Sequence, residues 1–340
     1  MNKMKRRGTI WFVLFLFLKT ISVSAQTDRK KEIYFLIDTC ITIMQKNSVN
    51  AGNSDWNTIR MNAFQKAAAI NDPYELGPVI RYLYQSVNDF HGVFYYKDST
   101  FRWERKKSEI YDSIMNEWKK GVSVQSQMLD NFIGYLRIPY MSFDKKEEVD
   151  KKAQNLNDHL CSLLDKGIKG LIIDLRLNGG GAMYPMILGV EQLLGQGRVG
   201  SFPIKKSVDW LIKNNNFYLD TMLLTSIQPK CAVSAQQMPV VLLTSPATGS
   251  SGEFFIIAFK GRPNTILLGS PTAGYITSTE GFPINDAAFI LLSTGYGADR
   301  NGKLYTEALQ PDIPFEGVDK FNDIPNDPKV KAAVGWLKKR

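Results

Sequence analysis

The stretch Leu171-Ile172-Ile173-Asp174-Leu175-Arg176-Leu177-Asn178-Gly179-Gly180-Gly181 decides how the rest of the chain is read. Its first five residues are an apolar run broken by one acid, the pattern of a strand buried on both faces. The three glycines that follow let the backbone take positive φ and turn amide N–H groups into a cleft. Such a nest holds a phosphate or stabilises an oxyanion, unless it is only a tight strand-to-helix turn. No Gly-Lys-Ser/Thr follows, and the G-x-G-x-x-G fingerprint is absent here, which argues against a nucleotide loop.

Outward from this stretch, strands alternate with helices. Upstream, residues 132–138 read as a strand, and Val149, Ala153, Leu156, Leu160, Leu163 and Leu164 mark a helix that Gly167 ends. Downstream come a strand at Val240 to Leu243, a helix from Phe254 to Lys260 and a strand from Thr265 to Leu268. This alternation predicts an α/β domain over residues 126–340 with a largely parallel sheet. Ala288 to Leu292 and Lys303 to Tyr305 flank Asn301-Gly302, a hairpin signal.

Before residue 126 the period changes. Ile33, Leu36, Ile37, Cys40, Ile41 and Met44 recur on one helical face. Trp56, Ile59, Ala63, Phe64 and Ala67 repeat the pattern after the capping candidates Ser54 and Asp55, and Ile80, Leu83, Tyr84 and Val87 make a third helix. Residues 26–125 are therefore expected to form a small helical domain. Its charged, aromatic stretch from 93 to 125 reads as a helical connector with a solvated face.

The 340 residues are 44% hydrophobic and 22% charged, which excludes a disordered chain, a collagen-like fibre and a polytopic membrane protein. The formal charge of +9 rests largely on the N-terminus. Residues 1–25 hold five of the 42 bases and no acid, so 37 bases face 33 acids in the remainder. That balance favours no nucleic acid or other polyanion. A basic start, an apolar run from Ile10 to Leu18, and Val23 and Ala25 before a cleavage point describe a signal peptide over residues 1–25. An uncleaved anchor is the alternative. The expectation is an exported protein, periplasmic or extracellular, with no stable membrane insertion after cleavage.

Cys40, Cys161 and Cys231 are odd in number and lack metal-ligand spacing, so they are read as buried free thiols. With only His91 and His159 in the chain, a His-rich metal site is excluded, and no metal or organic cofactor is expected.

Thr248-Gly249-Ser250-Ser251-Gly252-Glu253 places hydroxyls between a strand and a helix N-terminus, where the dipole favours developing negative charge. A serine there is either a simple cap paired with Glu253 or a nucleophile served by a base.

Four motifs in order resemble the C-terminal processing (tail-specific) serine peptidases: residues 171–181, Thr248 to Glu253, Gly269-Ser270-Pro271-Thr272-Ala273-Gly274, and Pro311-Asp312-Ile313. That family also includes the tricorn protease core and the interphotoreceptor retinoid-binding protein modules. The resemblance covers about residues 126–316, with a further match at Asp89-Phe90-His91. It implies a ClpP/crotonase-like core of ββα units. It also implies Ser250 as nucleophile, and an oxyanion hole from Gly179, Gly180 and the Ser251 amide.

One departure bears on the mechanism. Relatives with a Ser–Lys dyad carry a lysine after Gly-x-x-Thr-x-Gly, but Tyr275 follows Gly274 here. A neutral tyrosine, with a pKa of about 10, is a poor base at neutral pH. The resemblance then points to the tricorn-like Ser-His-Glu arrangement, with His91 as base and Glu307 orienting it. His159, inside the helix from Val149, is the weaker competitor. Only about 35 residues separate His91 from the core, too few for the family's PDZ module. The expected activity is cleavage of polypeptide or peptide substrates through an acyl-enzyme. A non-catalytic binding module for apolar ligands or peptides on the same fold is the alternative.

Overall fold

The computed structural model describes residues 8–104, 109–204 and 207–340, with side chains from residue 26 onward. The expected signal segment, residues 1–25, lies outside the residues whose side chains are described. Among the described residues, no helix is long and apolar enough to cross a membrane. The chain divides into two compact units, residues 1–105 with 279–294, and residues 106–278 with 295–340.

The second unit has the mixed α/β fold expected from the alternating pattern. Its sheet runs Ile313–Pro314, Thr265–Gly269, Val240–Thr244, Gly170–Asp174, Ile133–Arg137, Gln125–Met128, and only the last pairing is antiparallel. Side chains alternate between faces along each strand. Leu171 and Ile173 join one core with Leu156, Leu160 and Phe255, from the helices Lys146–Leu164 and Ser251–Phe259. Ile172 joins the other with Val241, Leu243 and Val330, the last from the helix Pro328–Leu337. The apolar run at 171–173 is continuous because both faces are covered. Strands Gly197–Pro203, Ser207–Lys213, Asn216–Leu219 and Met222–Ser226 add an antiparallel meander, in which Trp210 packs edge-on against Phe202 and Phe254.

In the first unit, the face of Ile33, Leu36, Ile37, Cys40, Ile41 and Met44 packs against the helices Trp56–Ala67 and Gly77–Ser86. Strand Val93–Tyr96 pairs antiparallel with residues 288–291 and with Ser99–Phe101.

Three expectations are corrected. The stretch from 93 to 125 is not a helical connector. Its described residues hold the hairpin strands Val93–Tyr96 and Ser99–Phe101 and the helix Asp112–Lys120. One of the two partners of Val93–Tyr96, residues 288–291, lies almost 200 residues away, beyond the reach of a local pattern. Residues 279–294 group with the first unit, where residues 288–291 pair with Val93–Tyr96. The cysteines are not three free thiols. Cys161 and Cys231 form a disulfide with Cα atoms 5.4 Å apart, inside the usual range, and Cys40 alone is free and buried. Seventy residues separate the bonded pair, so neither spacing nor an odd count reveals it. The Asn301-Gly302 turn does join paired strands. Its first arm is Gly297 and Ala298, however, and residues 288–291 pair elsewhere.

Candidate active site

Strand Gly170–Asp174 ends in a buried ionic cluster that holds the glycine loop. Arg176 is fully buried and donates to Asp174 at 2.7 and 2.9 Å, to Asp319 at 2.7 Å and to Asp327 at 2.8 Å. Lys329 also donates to Asp319, and Arg137 lies 3.9 Å from Asp174. Three acids thus face three bases, so no net charge is left in the low-dielectric interior. Burial alone would raise the Asp174 carboxyl, but Arg176 and Arg137 beside it hold it well below the usual range.

Asn178 joins the loops. Its amide donates to the carbonyls of Ile138 and Pro139, its Oδ1 accepts from Gly180 N–H at 3.0 Å, and its carbonyl accepts from Gly249 N–H at 3.0 Å. Thr248 Oγ1 donates to the Leu175 carbonyl at 2.9 Å, and Ser245 Oγ to that of Arg176 at 2.7 Å. The strand end and the serine loop are therefore one hydrogen-bonded body.

Ser250 caps the helix Ser251–Phe259 with φ of 53° and ψ of −120°. Positive φ at a serine is a strained elbow that surrounding bonds must hold. Glu253 does so. Its carboxylate accepts from Ser250 N–H at 2.9 Å, Gly274 N–H at 2.8 Å and the Thr272 hydroxyl. Burial pushes this carboxyl up to about 7, against the lowering effect of those hydrogen bonds. Gly180, at φ of 118°, lies so close that a Cβ there would sit 2.8 Å from Ser250 Cβ. The neighbouring Ser251 is different: it is buried and spends its hydroxyl on the Gly181 carbonyl.

The expected oxyanion donors divide. The Gly180 N–H is already given to Asn178 Oδ1 at 3.0 Å. The N–H groups of Gly179 and Ser251 meet no acceptor among the described residues.

Glu307 lies in the same unit as Ser250. It is exposed and makes no hydrogen bond or ion pair with the described residues. Two residues on, Leu309 N–H donates to Thr272 Oγ1 at 2.9 Å, which anchors the segment to the loop that Glu253 holds. His91 belongs to the first unit. Asp89, buried there, accepts from His91 N–H at 3.0 Å, Gly92 N–H at 2.8 Å and both Ser293 N–H and hydroxyl at 2.8 Å. His159 sits within the helix Lys146–Leu164, with Nδ1 2.7 Å from Ser126 Oγ. Among the described residues no cluster suits a metal ion. Sequence reading missed Arg176, Asn178 and Asp89 as organisers. For Arg176 and Asn178 the signal was present, since they directly follow an apolar strand and a polar residue buried there must be paired.

Peptidase family S41 matches residues 132–315, more than half of the chain. The chain belongs to that family. It is 29% identical over 191 residues to the nisin-resistance protein of Lactococcus lactis subsp. lactis, covering 56% of each chain. It is 26% identical over 195 residues to the carboxy-terminal processing protease CtpA of Bacillus subtilis (strain 168), covering 57% of this chain and 37% of that one. These matches thus span about half of one relative and little more than a third of the other. A lipoprotein from Streptococcus agalactiae shares the fold with a TM-score of 0.66 and 22% identity, over 92% of this chain and 97% of that one.

Proposed function

We propose that the protein is an exported serine peptidase in which Ser250 is the nucleophile, His91 the base and Glu307 the group that orients the imidazole. Ser250 Oγ attacks the substrate carbonyl as its proton passes to His91. The negative oxygen that develops is met by the N–H groups of Gly179 and Ser251, near the positive end of the helix Ser251–Phe259. Collapse expels the amine, which takes the proton from His91. Water activated by the same histidine then releases the acyl group from Ser250.

The observation that carries this reading is the strained elbow at Ser250, held by a buried glutamate beside two N–H groups without acceptors. A capping box by itself accounts for the Glu253 bond to Ser250 N–H, but it requires neither a positive φ at the serine nor an open N–H on Gly179. Membership of peptidase family S41, and a relative named as a carboxy-terminal processing protease, support a polypeptide substrate. The Cys161–Cys231 disulfide supports an oxidising compartment outside the cytosol. The test is a fluorophosphonate probe on the folded chain, followed by mass spectrometry. Label on Ser250 is the expected result. An unlabelled protein, or label elsewhere, overturns the assignment and favours a non-catalytic binding module.

A further inference from the structure

The glycine loop has neighbours in a definite order. The side chain of Trp118 lies 3.9 Å from where a Cβ on Gly179 would be, Ser250 faces Gly180, and Tyr140 Cε2 lies 2.9 Å from a Cβ position on Gly181. The Trp118 indole N–H is committed to the Leu177 carbonyl at 3.0 Å, so this ring braces the loop. Tyr140 has no such duty. It is 54% exposed, and Phe143 beyond it is 66% exposed, with Phe143 reaching Tyr184 at a centroid distance of 6.3 Å.

The backbone bearing these rings is fixed. Met141 N–H donates to the Gly180 carbonyl at 3.3 Å, Ala182 N–H to the Met141 carbonyl at 2.6 Å, and Lys152 Nζ to Ser142 Oγ at 2.6 Å. Lys152 is also paired with Asp144, so the rim carries no unbalanced charge from this pair. Since Gly180 and Gly181 are consecutive, the Tyr140 ring and Ser250 are at most about 13 Å apart, roughly four extended residues. Tyr140, within that reach of the proposed nucleophile, and Phe143, three residues on and in contact with Tyr184, are exposed aromatics on anchored backbone and offer apolar contact to a substrate side chain.

We propose that Tyr140 and Phe143 form the wall of a substrate subsite for a bulky apolar side chain within about four residues of the scissile bond. The proposal rests on the reading of Ser250 as the nucleophile of a peptidase. The wall discriminates by burying apolar surface, so phenylalanine or leucine is taken in preference to glutamate or lysine.

The test is binding of fluorescein-labelled heptapeptides of glycine and serine, with Phe, Leu, Glu or Lys at the centre, to the full chain carrying Ser250→Ala. Phe and Leu peptides are expected to bind at least about tenfold more tightly than Glu and Lys peptides, about 1.4 kcal/mol. Adding Tyr140→Ala and Phe143→Ala should cut that ratio below about threefold. Tyr140→Phe, which keeps the ring, should preserve it, as should Met222→Ala, which removes an exposed apolar side chain elsewhere in the unit. Equal binding of all four peptides, or a preference that survives loss of both rings, overturns the wall. Fluorophosphonate labelling of the unsubstituted chain is scored separately. Absence of label there counts against the nucleophile while the binding ratio still decides the subsite.

Discussion

At residues 89–92 the Asp89 carboxylate gathers the N–H groups of His91, Gly92 and Ser293. At residues 250–253 the Glu253 carboxylate gathers those of Ser250 and Gly274. Both turns place a residue of the proposed triad on backbone held by a buried acid. Each also keeps a glycine where a Cβ would collide: with the Tyr84 ring at 2.2 Å for Gly92, and with the Asn178 carbonyl at 2.9 Å for Gly252. Their anchors differ in reach. Asp89 ties its turn to Ser293, 204 residues on, whereas Glu253 is bound to groups within some twenty residues. Glu307 has no such support, so it is the member of the proposed triad least fixed by hydrogen bonds.

The largest effect expected is at the serine pair. Ser250→Ala should lower kcat on the order of 10⁶-fold and abolish probe labelling. Ser251→Ala loses one hydrogen bond and should cost no more than about tenfold. A dead Ser251→Ala beside an active Ser250→Ala would reverse the register of the nucleophile. At the other turn, His91→Ala should lower kcat/KM at least about a thousandfold, while Tyr275→Phe stays within about tenfold. The opposite ranking would move the base to Tyr275.

The anchors come next. Arg176→Met leaves three buried carboxylates with two bases and should destabilise the fold by about 3–5 kcal/mol in urea titrations. A loss below about 1 kcal/mol would mean that the cluster is dispensable. Glu253 makes a pH prediction. Its carboxyl lies near 7 in the folded chain, against an ordinary value near 4.5. Between those values the folded chain keeps a proton that the unfolded chain has released. Stability from this group therefore falls as pH rises from about 4.5 to 7 and is flat above, a change of roughly 3 kcal/mol. Urea midpoints at constant ionic strength should show this slope, and Glu253→Gln should remove it. An identical slope in the variant would assign it to other groups.

Glu307 should give the smallest response, because an exposed charge is screened by solvent. In Glu307→Gln the acid limb of kcat/KM, expected in the histidine range of about pH 6–7.5, should move to lower pH by less than about one unit. Its plateau should fall by no more than about tenfold. Glu253 titrates in the same window, so the measurement is the shift between variant and unsubstituted chain. No shift at all would remove Glu307 from the triad.

Much of the second unit was readable because its causes are local. Runs such as Leu171 to Ile173 and Val240 to Leu243 need cover on both faces, and period-2 placement of Ile172 against Leu171 and Ile173 follows from the pleat. The glycines after Asn178, and Ser250 three residues before Glu253, are likewise local chemistry. What sequence by itself determined about this protein is thus the α/β pattern, the helical face from Ile33 to Met44 and the loops where chemistry is concentrated. Only the tertiary structure decided that Cys161 bonds Cys231, that Val93–Tyr96 is a strand, and that Arg176 meets Asp319 and Asp327. It also decided that the Gly180 N–H is spent on Asn178. Each of these depends on a partner distant in the chain or on which of several donors reaches a given acceptor. Such choices are settled by three-dimensional proximity and burial, which no periodicity along the chain encodes.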